Sequence, residues 1–451
     1  MPSAKIFAIL IAIFCLENHL ALSEYCYVDD RNPFLLFSTK TAYEHVHGTI
    51  TDSKLPNCEP LQIWMILRHG TRNSGKHWIK KLKNDLPQIQ RTIIENHDNC
   101  KLCEKDFNRL KDWNGYKPLQ KKKAARLTMQ GKQDMFFLGL RFKNYFPELF
   151  QSRSNNDLDK LYQFRSTKTQ RTIASMENFI KGLFNNVTFD NAKIVGIPED
   201  TLLQYYKIYE PYLNETANTT ELWAESDELT HSEEYNQMMN NISQRLGLSN
   251  NISEEVFTQI EDVYTICLFE SAWYINEKSP WCAPFTKEDI EWFQYRDDMY
   301  FYYLYGYGQQ MRSDVGCPPL KDLFNHFSNL ENGNKDEPKG IFYFTHSAAL
   351  QLLLSTLGYA KDSEPLVHDT NIDKAKTRKW YTANLTPFAA NLAAILYKCD
   401  KNFKINFKVK LYLNEKPLDY EGCPRGTCEW SHFKKILKKI AVNCEMDKNE
   451  M

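Results

Sequence analysis

The chain has 451 residues, with 56 basic and 57 acidic side chains and 14% aromatics. That length carries one large domain or two smaller ones around a substantial core, and the aromatic content excludes disorder over most of it. The balanced charge excludes a global basic field for nucleic acid and an acidic solvating tail.

The first 23 residues stand apart. Lys5 precedes an uncharged apolar run from Ile6 to Leu16, and Ala21 and Ser23 follow with cleavage-site spacing. These are the parts of a signal peptide, in a run too short to span a bilayer comfortably. No other stretch approaches ~20 apolar residues, so no integral membrane span is expected after cleavage. Sequons at Asn186, Asn214, Asn218, Asn241, Asn251 and Asn384 point the same way, to the secretory pathway and a secreted, ER-lumenal or lysosomal protein. Eleven cysteines remain beyond Cys15 and read as disulfides, with at least one left over. Cys100-X-X-Cys103 lacks the second pair that a zinc site needs, and no metal or cofactor motif is visible.

The residues at 61–67 (LQIWMIL) form a short apolar run, expected as a buried strand. It runs into Arg68-His69-Gly70-Thr71-Arg72. Open parallel sheets bind ligands at the carboxyl ends of their strands, so this pentapeptide falls at the expected place for a site. Arginine offers planar, bidentate donors that match phosphate oxygens. Like charge pushes a histidine among arginines toward its neutral, nucleophilic form. The bland alternative is a surface turn. Lys76 and His77, just beyond, are placed to touch outer phosphates, and 121–123 (KKK) reads as a solvated run.

Helical spacing of Met129, Met135, Leu138 and Leu140 predicts a helix over 127–147, ended by Pro147. A strand is expected at 158–166 and an amphipathic helix at 168–184. Alternating strands and helices imply an α/β fold with a central, mostly parallel sheet flanked by helices. The stretch 191–310 changes character: it is rich in Glu and Asn, holds four sequons and lacks clear strands. It is expected to be an α-helical cap inserted between core segments 24–190 and 311–451. The aromatic-rich 292–305 is expected to pack in the interior. Strands return at 340–345 (GIFYFT), 387–399 and 407–415. The first of these ends at His346, so two histidines and two arginines are predicted to share one pocket.

The order of motifs now resembles the histidine acid phosphatases, branch 2 of the histidine phosphatase superfamily. The resemblance rests on RHGTR, LTMQG with LGLRFKNYFP, FRSTKTQRTIAS, RDDMYFYYLYGYG, PFAANLAAILYKC and YLNEKPL followed by GCPRGTC, from about Cys26 to Cys444. The opening STKTAYEHV and the spacing at HSA are similar to the multiple inositol-polyphosphate phosphatases within that family. The resemblance implies a metal-free phosphomonoesterase acting on inositol polyphosphates, with bisphosphoglycerate as a second substrate. It implies His69 as nucleophile, Arg68 and Arg72 as phosphoryl-binding groups, and His346 as second pocket histidine. It makes Arg165 the third phosphate-binding arginine, with Arg171 as the nearby alternative.

Two departures matter. The family's inositol-polyphosphate branch has His-Ala-Glu, its glutamate being the general acid, but here the order is His346-Ser347-Ala348. General acid catalysis contributes roughly 10²–10⁴-fold, so a slow enzyme is expected, and an inactive pseudo-phosphatase that binds phosphorylated ligands is the alternative. The second departure is Tyr209, which stands where the family has a cysteine. The resemblance implies pairs Cys58–Cys399, Cys267–Cys282 and Cys423–Cys428, and leaves Cys444 as the odd cysteine.

Overall fold

In the computed structural model, residues 25–444 are described apart from 116, 151–157, 159, 185–195, 198–199, 218, 250, 309–313 and 402–403. The leader at 1–23 and the sequons at Asn186 and Asn218 lie outside the described residues. The strands are β1 (Cys58–Arg68), β2 (Tyr162–Thr167), β3 (Gly196–Ile197), β4 (Gly340–Thr345), β5 (Asn391–Lys401), β6 (Lys404–Leu413), β7 (Lys416–Pro417) and β8 (Thr427–Glu429). They form one sheet in the order β3-β2-β4-β1-β5-β6-β7, with β8 also paired to β6. β3, β2, β4 and β1 run parallel, and β5 and β6 extend the sheet antiparallel.

β1 is apolar on both faces because helices cover both. Ile63, Met65 and Leu67 pack with the helices Met129–Tyr145 and Gln170–Phe184. Trp64 and Ile66, pointing the other way, join a second core with the helices Lys76–Glu95, Cys317–Glu331 and Trp430–Val442. The expected strands at 61–67 and 340–345 lie on β1 and β4. The expected strand at 158–166 begins later, at Tyr162, with described helical residues before it.

From Asp200 onward the inserted region is helical: Glu210–Ala217, Thr219–His231, Glu233–Leu246, Glu254–Trp273 and Lys287–Tyr305. Ser232, Ser253 and Thr286 cap three of these helices by accepting backbone N–H groups, and Thr286 with Asp289 completes a capping box. The strand Gly196–Ile197 pairs with β2, so these two residues of the 191–310 range belong to the sheet and not to a helical cap. The helix Glu254–Trp273 is buried along nearly its whole second half and shares a core with Lys76–Glu95. Trp292, Phe293, Tyr295, Met299 and Tyr302 are interior, as their apolar character implied.

The disulfides Cys58–Cys399, Cys267–Cys282 and Cys423–Cys428 are present, with Cys26–Cys103 and Cys317–Cys444 beside them. Cys444 is therefore paired, and the free cysteine among the described residues is Cys100. The helix Trp430–Val442 shares its core with Cys317–Glu331 and carries Cys444 to Cys317, a contact across 127 residues that local sequence does not announce. Alkylation of the denatured, unreduced protein followed by peptide mapping should mark Cys100. A modified Cys444 would contradict this pairing.

Candidate active site

Strand register builds the site. Arg68 of β1 lies opposite Thr345 of β4, and Ser166 of β2 opposite Phe344. Three parallel strands thus end together, and the residues that follow them converge: His69 to Arg72, His346, and Thr167 to Arg171.

The loop after β1 is held from several sides. Asp134, buried in the helix Met129–Tyr145, accepts from the Thr71 backbone N–H (2.9 Å) and hydroxyl (2.7 Å). Burial pushes its carboxyl up to about 6, against those hydrogen bonds. Ser175 Oγ accepts from Gly70 N, and Trp273 Nε1 donates to the Arg72 carbonyl. A Cβ at Gly70 would lie 2.4 Å from the Gly131 carbonyl oxygen, and one at Gly131 would lie 2.1 Å from that of Thr71. The glycine at 70 thus lets a helix close against the loop, beyond any room it leaves for a ligand. Asp134, Ser175 and Trp273 were not singled out in the sequence. Their signal is tertiary, because each belongs to a helix that reads as ordinary amphipathic packing.

His69 is buried. Its Nδ1 lies 2.9 Å from the Gly70 carbonyl, which can only accept, so Nδ1 carries the hydrogen and Nε2 the lone pair. Burial first, then Arg68, lowers its pKa well below the ordinary histidine value. His346 follows β4 and its ring centroid lies 5.6 Å from that of His69. Its Nδ1 accepts from Arg171 Nη2 (3.3 Å), and its Nε2 donates to Thr167 Oγ1 (3.2 Å), which donates in turn to Thr172 Oγ1. That pattern is a neutral imidazole, in keeping with a pKa driven well down by burial and then by Arg171. His346 also caps the helix Ser347–Thr356 without a side-chain bond, so the positive helix end adds to the field at the site.

Arg68 is buried and donates through Nη1 to the carbonyls of Thr39 (2.5 Å) and Thr386 (2.7 Å), with its guanidinium 4.6 Å from the Phe388 ring centre. Burial, with Arg171 close by, pushes Arg72 down to about 10. The Nε atoms of Arg68 and Arg171 are buried without a hydrogen-bond partner. Arg171 at 3.3 Å from His346, and Arg68 and Arg72 close to both neutral histidines, concentrate positive charge and N–H donors at the strand ends, an arrangement suited to an anion.

Arg165 lies elsewhere. Its guanidinium is bidentate to Asp200, at 2.7 and 2.9 Å, and Asp200 also accepts the backbone N–H groups of Leu202 and Leu203. The arginine that reaches His346 is Arg171, which opens the helix after β2 where Arg165 sits inside the strand. Lys76 and His77 are exposed at the start of the helix after the loop, and Lys121 and Lys122 are solvated.

Ala348 is buried among Tyr205, Tyr206, Tyr212, Val315, Ala349 and Leu352. Aromatic rings therefore lie around Ala348. The Tyr205 hydroxyl donates to the Ala349 carbonyl, fixing those rings to the helix.

A family model described as "Histidine phosphatase superfamily (branch 2)" matches residues 61–414. "Multiple inositol polyphosphate phosphatase 1" of Drosophila melanogaster is 32% identical over 434 residues, 94% of this chain and 89% of that protein. The Homo sapiens protein of the same name is 28% identical over 437 residues, 91% of this chain and 87% of its own. Among solved structures, the phytase from D. castellii superposes with a TM-score of 0.67 at 20% identity, covering 92% of this chain and 85% of that one. A Bifidobacterium longum multiple inositol polyphosphate phosphatase in complex with inositol hexasulfate gives 0.60 at 16% identity, over 84% and 91%. At those identities the structures speak for the fold.

Proposed function

The chain belongs to branch 2 of the histidine phosphatase superfamily, and from that premise we propose that it hydrolyses inositol polyphosphates through a phosphohistidine on His69. The observation that carries this reading is the pair of histidines with ring centres 5.6 Å apart among Arg68, Arg72 and Arg171, with Nδ1 of His69 tied to the Gly70 carbonyl so that Nε2 keeps its lone pair. The names of the relatives supply the substrate class.

In this reading the Nε2 lone pair of His69 attacks the phosphoryl group. Arg68, Arg72 and Arg171 hold its equatorial oxygens and stabilise the charge that spreads over them, which is the main task in phosphoryl transfer. His346 completes the pocket. Arg171 takes the part that the sequence resemblance suggested for Arg165, whose guanidinium is committed to Asp200. A neutral His69 suits acidic conditions, since its lowered pKa keeps the lone pair available there.

The test is release of inorganic phosphate from inositol hexakisphosphate at mildly acidic pH, beside alkaline quenching to trap an acid-labile, base-stable phosphoprotein. Release with a trapped phosphohistidine is the expected outcome. Phosphate-ester binding without release would favour the pseudo-phosphatase reading, for which Ala348 is the specific observation. The two arginines give a second expectation. Arg171→Gln should lower turnover by about 10²–10³-fold with stability little changed. Arg165→Gln should act mainly on stability, because it leaves the buried Asp200 unpaired. Steady-state rates and urea denaturation of the two variants separate these outcomes, and a larger rate loss in the Arg165 variant would reverse the assignment.

The residues after 199 that form the helical layer act in this reading as a cap over the pocket. Removal of a leader at 1–23 and glycosylation at the exposed Asn214, Asn241, Asn251 and Asn384 complete a secreted or lumenal protein. Five disulfides support that setting, and among the described residues no helix is long and apolar enough to cross a membrane.

A further inference from the structure

An alkoxide is a poor leaving group, so a phosphomonoesterase acting on inositol phosphates needs a proton donor, and position 348 offers only a methyl group. Lys40 lies close to the two arginines of the RHGTR segment, Arg72 and Arg68. Its turn, Ser38–Lys40, carries the Thr39 carbonyl that Arg68 Nη1 grips at 2.5 Å. The ammonium donates to Thr39 Oγ1 at 2.8 Å, and Phe301 of the helix Lys287–Tyr305 stands with its ring centre 6.0 Å away. Lys40 therefore sits where the arginine loop, the N-terminal turn and the inserted helix meet. It makes no ion pair among the described residues. The charged groups that face it are Arg72 and Arg68 from the loop after β1, and Asp297 from the inserted helix.

From this placement we propose that Lys40 donates the proton to the leaving oxygen, in place of the carboxyl that position 348 lacks. The proposal rests on the reading of His69 as nucleophile. The step balances without another reagent. The Nε2 lone pair of His69 forms the N–P bond, the bond from phosphorus to the ester oxygen breaks, and its electron pair takes a proton from Lys40 Nζ. An alcohol leaves, with a phosphohistidine and a neutral amine behind. Water then attacks phosphorus, giving phosphate and free His69 with its proton passing to solvent, and the amine recovers a proton from solvent.

The surroundings fit that cycle. Burial, then Arg72 and Arg68, pushes the Lys40 ammonium down to about 7, with Asp297 opposing them. An ordinary lysine holds its proton too tightly for this task, and an acid near the working pH is the better donor. Other candidates fit less well. Burial pushes the Tyr206 phenol up, away from the working range. Asp297 already accepts from Arg296 Nη2 at 3.3 Å. Lys207, beyond His346, is exposed.

The test uses two monoesters of equal charge, 2-glycerol phosphate and p-nitrophenyl phosphate, with the whole protein and its Lys40→Gln and Lys40→Arg variants. The aryl ester leaves without a proton, so its turnover reports an intact pocket in every variant. Both substitutions should lower kcat for the alkyl ester by about 10²-fold or more relative to the aryl ester. Arginine keeps the charge but gives up no proton, so it separates donation from electrostatics. In the parent, alkyl-ester turnover should fall as pH rises through about 7, where the ammonium is lost, and aryl-ester turnover should not share that limb. A parent-like ratio in Lys40→Arg, an equal loss on both esters, or transfer of the effect to Asp297→Asn or Tyr206→Phe would each overturn the proposal. A parent silent on both esters would instead remove the phosphatase reading, and the donor with it.

Discussion

Replacing His69 with alanine should lower phosphate release by about 10⁴-fold or more, since loss of a covalent nucleophile removes the intermediate itself. The imidazole is the one group in the pocket with a lone pair aimed by its own backbone: Nδ1–H is tied to the Gly70 carbonyl, so Nε2 stays free. The arginines would remain, and with them the capacity to bind phosphate. The variant should therefore still be protected by inorganic phosphate against thermal unfolding, while the acid-labile phosphoprotein disappears. His346 cannot replace it in place, because both of its ring nitrogens are already engaged. Initial rates on inositol hexakisphosphate measure the loss, and a variant within about tenfold of the parent would put the nucleophile elsewhere.

Arg378→Met should destabilise the fold by about 3–5 kcal/mol, because it leaves two carboxylates buried without a counter-charge. Arg378 is buried and donates to Asp298 Oδ2 (2.8 Å) and Glu291 Oε1 (2.6 Å) on the inserted helix. Asp298 also accepts the Thr382 backbone N–H (3.1 Å), and Thr382 Oγ1 shares a hydrogen bond with Ser38 Oγ (2.7 Å). One buried network thus joins the inserted helix, the segment before β5 and the turn that carries Lys40. Breaking one partner is costly, whereas removing the charges together is not. Arg378→Met combined with Asp298→Leu and Glu291→Leu should recover much of the loss. Chemical denaturation of the single and triple variants measures both. A single variant within about 1 kcal/mol of the parent would show the network to be dispensable.

Much of this was present in the chain as local pattern. Ile63 to Leu67 is apolar without interruption because both faces of β1 are covered, and this marks a central strand followed by a loop. Arg68, His69, Arg72 and His346 declare themselves because each follows such a strand, and parallel strands in register end at one edge. The alanine at 348 is likewise a local fact, whereas the disulfide Cys423–Cys428 follows from the family resemblance and is present in the fold. Sequence alone thus determined the α/β core and the sheet edge at which the two histidines stand.

What it left undecided depends on the path of the chain between elements. Arg165 and Arg171 are six positions apart and equally basic. Which one faces the histidines is decided by the start of a helix after β2 and by Asp200, 35 residues away. Cys444 meets Cys317 because two helices share a core, and the turn that carries Lys40 meets Arg68 through Thr39 and Phe301 through Lys40 because it is tucked under an inserted helix. Periodicity reports which face of an element is buried, but not which partner covers it. The pairing of arginine with histidine and of cysteine with cysteine is a property of that covering, so only the tertiary structure decided it.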